Sequence, residues 1–133
     1  IYWRVQDEYS GTYYSPGYGF FARDTSSEID FTRNHMVHDA LAKHLDWGNR
    51  CPTPFISVYC DEETAFEEAD RRVLRRNGNV TVSKIHTRRS QCPLEYRNVQ
   101  ILAIKHDVWI PERAFHNSKF EYVFLHHIPA ECI

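Results

Sequence analysis

The sequence predicts an α+β domain. Two stretches carry helical periodicity, and both fall within the first 76 residues. Five apolar or alternating stretches of strand length are spread from Ile1 to Ile128, so strands from distant parts of the chain must pack side by side. Gly, Pro, Asn and Ser clusters separate these stretches. At 133 residues the chain is one domain, 1–133, and its 42% hydrophobic content supplies a core, which excludes global disorder.

Ile1 to Val5 is apolar and aromatic enough for a first strand. Ser10-Gly11-Thr12 and Ser15-Pro16-Gly17-Tyr18-Gly19 then punctuate a loop rich in tyrosine, followed by a short buried Phe20-Phe21-Ala22. Asp30 to Leu45 reads as a helix: Met36, Val37, Ala40, Leu41 and Leu45 recur at three- and four-residue spacing, Asp30 or Thr32 can cap it, and it should end before Trp47-Gly48-Asn49. Pro52-Thr53-Pro54 leads into the strand Phe55 to Cys60, where Ser57 and Tyr59 share a face. Asp61 to Arg76 is a second helix, acidic in its first turns and carrying Arg71, Arg72, Arg75 and Arg76 in its last, with Asn77-Gly78 to stop it. The helix dipole explains that basic cluster without nucleic acid. Val80 to Ile85 and Val99 to Ile104 read as strands separated by a polar loop, Thr87 to Asn98. Val108 to Phe115 is irregular or a short helical turn around Pro111, and Phe120 to Ile128 closes the set as a strand.

Sixteen Lys and Arg against eighteen Asp and Glu leave a formal charge of −2, which argues against a dedicated binder of duplex DNA. Eight histidines would turn the domain net positive in acid. No run approaches the roughly 18 to 20 apolar residues of a membrane-spanning helix. The opening IYWRVQDE is neither a signal nor a transit peptide, and a chain opening directly on a strand reads as excised from a longer precursor, which leaves localisation unknown. Cys51, Cys60, Cys92 and Cys132 lack C-x2-C pairing and leave open three disulfide connectivities or buried thiols. Their even number and the sequon at Asn79-Val80-Thr81 lean toward a secreted protein.

Three polar residues interrupt otherwise apolar strands: Arg4 in Tyr2-Trp3-Arg4-Val5, Ser57 in Phe55-Ile56-Ser57-Val58, and Glu121 ahead of Tyr122-Val123-Phe124-Leu125. A buried polar group must be satisfied, so such positions are where function is sought. Taken singly, each has a bland role: a snorkelling arginine, a small filler, an exposed strand start. With their flanks, the three resemble the Arg-Ser-Glu signature of the ADP-ribosyltransferase fold, the cholera-toxin-like class of bacterial and fungal NAD-splitting enzymes. Tyr2-Trp3-Arg4-Val5 is similar to its first strand. Phe55-Ile56-Ser57-Val58-Tyr59, followed by Ala65 and Ala69, is similar to its serine strand and the helix after it. Glu121 through His126-His127-Ile128-Pro129, with Ile133 four residues on, looks like its glutamate strand and Ile-Pro turn. Fungal ADP-ribosyltransferase-like domains give the nearest impression.

The resemblance implies a split β-sheet with helices after the first strand and after the Ser57 strand, and NAD as substrate in the cleft between. It implies Glu121 stabilising the positive sugar formed as nicotinamide leaves, Ser57 orienting Glu121, and Arg4 holding NAD. It further implies backbone groups near Val5 on the carboxamide, an aromatic from Tyr59, Tyr13 or Tyr14 on the nicotinamide ring, and His44 near the ribose. The implied activity is mono-ADP-ribosylation, with a protein as possible acceptor, or NAD glycohydrolysis, as in toxin-like effectors. Two departures matter. Lys119 stands two residues before Glu121, where arginine-modifying members place Glu or Gln, and Ser57-Val58-Tyr59 lacks the second serine. They favour hydrolysis or an unusual acceptor. A rival reading is a catalytically inactive module on the same fold that binds protein through the tyrosine loop from Tyr9 to Tyr18. His35, His38 and His44 on one helix lack an HExxH motif and a carboxylate partner, so no metal site is expected.

Overall fold

The computed structural model describes residues 1–46, 48, 49 and 51–133. Strands β1 (Tyr2–Gln6), β2 (Tyr13–Ser15) and β3 (Gly19–Phe21) come first, then helix α1 (Asn34–Leu45), strand β4 (Phe55–Tyr59) and helix α2 (Glu62–Leu74). Next are β5 (Thr81–Ile85), β6 (Tyr96–Asn98), α3 (Val99–Lys105), α4 (Glu112–Ser118), β7 (Glu121–Leu125) and β8 (His127–Pro129), with single 3₁₀ turns at Thr87–Arg89 and Ala130–Cys132. The α+β expectation holds, in the form of two antiparallel sheets: five strands in the order β5-β1-β4-β7-β6, and three in the order β2-β3-β8.

Local chemistry explains most boundaries. Asp61 caps α2, its carboxylate accepting the Thr64 N–H at 3.0 Å. Asp30 and Thr32 do not cap α1, which starts at Asn34 without a side-chain cap because Asp30 instead closes a turn with the Thr32 N–H at 2.9 Å. Leu45 ends α1; Trp47, expected just beyond it, lies outside the described residues.

Three further expectations are corrected. Val99 to Ile104 is helix α3, not a strand: Asn98 accepts the Ile101 N–H at 3.0 Å, and Val99, Leu102 and Ala103 bury one helical face. Phe120 to Ile128 is two strands, because His126 has φ of 65° and throws the chain from the large sheet into the small one. The tyrosine loop folds back as β2 and β3, with Tyr13 stacked on Phe21. Cys51, Cys60, Cys92 and Cys132 are unpaired thiols, only the last of them buried.

The core lies on both faces of the large sheet. Val37, Leu41 and Leu45 of α1 meet Phe55 and Val123, while Ile56, Val58 and Phe124 face Phe20 and Ile128 of the small sheet. Ala65 and Ala69 let α2 lie close against Val5. No helix among the described residues is long and apolar enough to cross a membrane.

Candidate active site

Strands β1, β4 and β7 are neighbours in the large sheet, and they carry Arg4, Ser57 and Glu121 respectively. Register puts Tyr59 opposite Glu121 and Ser57 opposite Val123, so Ser57 is the diagonal neighbour of Glu121 on the face it shares with Tyr59. The Ser57 hydroxyl donates to Glu121 Oε2 at 2.7 Å. The pairing of β1 with β4 is confined to Trp3 opposite Tyr59, and beyond that pair the Arg4 guanidinium donates to the Ser57 carbonyl at 2.8 Å. Arg4, Ser57 and Glu121 therefore converge although the first and last stand 117 positions apart, Arg4 and Glu121 both buried.

A cleft of about 930 Å³ opens over these residues. His44, Phe55 and Tyr59 line it as well. Its cations come from every side: Arg4; Arg23 after β3; Lys43 of α1; Arg71, Arg72 and Arg75 around the end of α2; and Arg113 of α4. Among the described residues, four carboxylates, Asp7, Asp46, Glu68 and Glu121, stand against these seven, a local excess of +3 on a chain of net −2. Composition hid this local excess.

Burial, the strongest influence on Glu121, pushes its carboxyl up to about 6 against the opposing pull of the Ser57 hydrogen bond and Arg4. Burial and then Arg72 lower Arg4 to about 10, so it remains a cation at neutral pH. Burial, then the Arg4 charge, lower His44 to about 4, which keeps its ring neutral. Burial and the neighbouring Glu121 raise the Tyr59 phenol.

The remaining expected residues divide. His44 Nε2 lies 2.7 Å from Ser57 Oγ and its Nδ1 lies 2.6 Å from Thr53 Oγ1, so both nitrogens meet hydroxyls of the chain. Val5 buries its side chain with Ala65 and Ala69, and its carbonyl accepts from Arg72 at 3.3 Å. Tyr13 and Tyr14 do not line the cleft; they sit in the small sheet against Phe21 and Phe20, while Tyr9 lines it instead. Lys119 is outside the lining too, and His116 and Asn117 of α4 occupy the rim ahead of Glu121. His38 Nδ1 lies 3.0 Å from the His106 carbonyl, and among the described residues no three His, Cys, Asp or Glu side chains are grouped to hold a metal.

Two supporting groups went unread in the sequence. Gln6 accepts from Arg4 Nε at 3.0 Å and from the adjacent Nη2 at 2.7 Å, and donates to the Thr12 carbonyl at 2.5 Å. Its signal was available: Gln6 is two residues from Arg4 on one strand, hence on the same face. The second is a network at the cleft wall. Arg72 meets Asp7 at 3.1 Å and Glu68 at 3.4 Å, and Arg71 and Arg75 reach Glu68 at 3.3 and 3.6 Å. Glu68 showed only as one acid of a charged helix.

No curated protein and no solved structure matches the chain. A family profile described as "Domain of unknown function (DUF7587)" matches residues 1–133, and the chain belongs to that family.

Proposed function

We propose that this domain cleaves NAD at the bond between nicotinamide and ribose. The observation that carries the reading is the Ser57 to Glu121 hydrogen bond of 2.7 Å at the floor of a cationic cleft, with Arg4 beside it. As the bond breaks, its electron pair leaves with nicotinamide, which departs neutral, and positive charge grows on the sugar. A carboxylate held by a hydroxyl on a rigid strand is suited to stabilise that charge. Above about pH 6 Glu121 supplies it. An acceptor oxygen or nitrogen then bonds to the anomeric carbon and loses a proton to solvent; with water as acceptor the outcome is hydrolysis. The net positive charge of the described lining complements the substrate's diphosphate.

The test is incubation of the protein with NAD, with and without cell lysate, scoring free nicotinamide and protein-bound ADP-ribose separately. Nicotinamide should appear, and Glu121→Ala should lower its release by about a hundredfold or more. Equal release from wild type and Glu121→Ala would sink the reading.

One observation favours a second reading, a binding module without catalysis. Tyr9 and Tyr18, at the two ends of the tyrosine segment, are 75% and 67% exposed, and exposed tyrosines suit a recognition surface. Calorimetry showing no heat with NAD, together with saturable binding of a protein that is lost in a Tyr9→Ser, Tyr18→Ser variant, would favour it.

A further inference from the structure

Glu121 ends a row of four polar side chains drawn from three parts of the chain. Thr53 Oγ1 lies 2.6 Å from His44 Nδ1, His44 Nε2 lies 2.7 Å from Ser57 Oγ, and Ser57 Oγ lies 2.7 Å from Glu121 Oε2. A hydroxyl carries one proton and a neutral imidazole carries one, so the directions of these bonds are coupled. Ionised Glu121 can only accept, which commits the Ser57 proton to it. Ser57 must then accept from His44, whose proton therefore sits on Nε2. That leaves Nδ1 as a lone pair, and the hydroxyl of Thr53 is the group placed to donate to it.

Thr53 is well fixed for this task. Pro54 restricts the residue before it to extended backbone, and Pro52 stiffens the other side. The Thr53 carbonyl accepts the Asp24 N–H at 3.2 Å, and the Pro54 carbonyl accepts the His126 N–H at 2.8 Å. The hydroxyl is thus held by backbone anchored at Thr53 itself and at Pro54.

We propose that Thr53 is a positioning residue: its hydroxyl, donating to Nδ1, holds the His44 ring where its Nε2–H meets Ser57, and so keeps the Ser57 proton aimed at Glu121. Its catalytic consequence rests on the NAD reading above, whereas its hydrogen-bond chemistry does not. The opposite tautomer would draw the Ser57 proton toward His44 Nε2 and leave Glu121 without its donor. A carboxylate that loses a donor binds its own proton more tightly, so its midpoint rises. Arg4 from β1 and Glu68 and Arg72 from α2 also act on Glu121, Arg4 acts on His44, and Tyr59 stands opposite Glu121 on β4. None of these charges changes when Thr53 is replaced, so a shifted Glu121 midpoint there is carried by the hydrogen-bonded row.

The test uses nuclear magnetic resonance on the whole 133-residue chain without ligand. Ring-nitrogen shifts report the His44 tautomer, and carboxyl-carbon titration reports Glu121, assigned by its loss in Glu121→Gln. Wild type should show Nε2–H at pH 7. Thr53→Val should free the His44 ring to turn away from Ser57, read as a moved Nε2 shift, and raise the Glu121 midpoint by about half a pH unit, a roughly threefold change in proton affinity. Thr53→Ser should restore both. An Nδ1–H tautomer in wild type, or an unmoved midpoint in Thr53→Val, overturns the proposal; should Thr53→Val fail to fold, the wild-type tautomer decides. The acid limb of nicotinamide release should move with the midpoint. Absence of release in wild type would defeat the NAD reading while the tautomer and titration still decide the role of Thr53.

Discussion

The Lys119 ammonium lies 5.0 Å from the centre of the Phe120 ring, turned to an aromatic face and away from the cleft that Glu121 lines. A cation two residues before a proposed catalytic carboxylate need not oppose the charge that forms there. Lys119→Ala should therefore leave nicotinamide release within about twofold of wild type and lose only the ring contact, about 0.5 to 1 kcal/mol at an exposed site. Steady-state assay with thermal melting checks both. A tenfold change in rate would place the ammonium at the reacting sugar after all.

Glu121 carries a cost that depends on pH. Its folded value is about 6 against an ordinary 4.5, so the folded chain holds this proton more tightly than the unfolded chain does. The group's favourable contribution is fully present below about 4.5 and is lost as pH rises through about 6. A shift of that size corresponds to about 2 kcal/mol. Glu121→Gln, which keeps the shape and an oxygen for Ser57, should gain about 1 to 2 kcal/mol over wild type at pH 8 and little at pH 4. Urea unfolding at the two pH values measures it, and an equal effect at both would contradict burial of the charge.

Arg72 and Arg75 both reach Glu68, but their surroundings differ. The Arg72 side chain is 19% exposed and also meets Asp7, whereas that of Arg75 is 51% exposed and meets Glu68 at 3.6 Å. Burial pushes Asp7 up, yet hydrogen bonds from Asn77, the Tyr9 N–H and Arg72 outweigh it and hold the carboxyl below its ordinary value. Arg72→Met leaves two buried carboxylates short of a partner and should cost about 3 kcal/mol. Arg75→Met should cost less than about 1 kcal/mol. Denaturant midpoints of the two variants test the ordering, and near-equal losses would count against it.

The sequence disclosed the three converging residues because each is a polar interruption in an apolar strand, a local signal. What it hid is relational. Val99 to Ile104 is too short and too uniformly apolar for periodicity to separate strand from helix, and the deciding group, Asn98 as cap, stands just outside the run. The turn at His126 depends on a positive φ in a residue other than glycine, which no alternation pattern announces. The cationic cleft gathers side chains from β1, the segment after β3, α1, α2 and α4, spread along the chain from Arg4 to Arg113. Thr53 was visible only as a polar residue between two prolines.

Gly19 fixes how the small sheet closes, and its replacement is the most severe backbone change to test. It has φ of 111° and stands opposite Pro129 in the pairing of β3 with β8. A Cβ there would lie 2.0 Å from the Ile128 carbonyl oxygen and 2.8 Å from the Ala130 nitrogen, both backbone atoms that cannot swing away. Gly19→Ala must therefore part the two strands or move β3 as a whole, which uncovers Phe20 and Ile128, both buried against the large sheet. The expected loss exceeds about 3 kcal/mol, beyond ordinary single substitutions. Gly17 is the internal control: its φ is 82°, but a Cβ would meet nothing within 4 Å. Gly17→Ala should then show only the left-handed backbone cost of about 1 to 2 kcal/mol. Chemical unfolding of both variants separates crowding from conformation, because two equal losses would mean that φ alone, and not the approach of β8, makes glycine necessary at position 19.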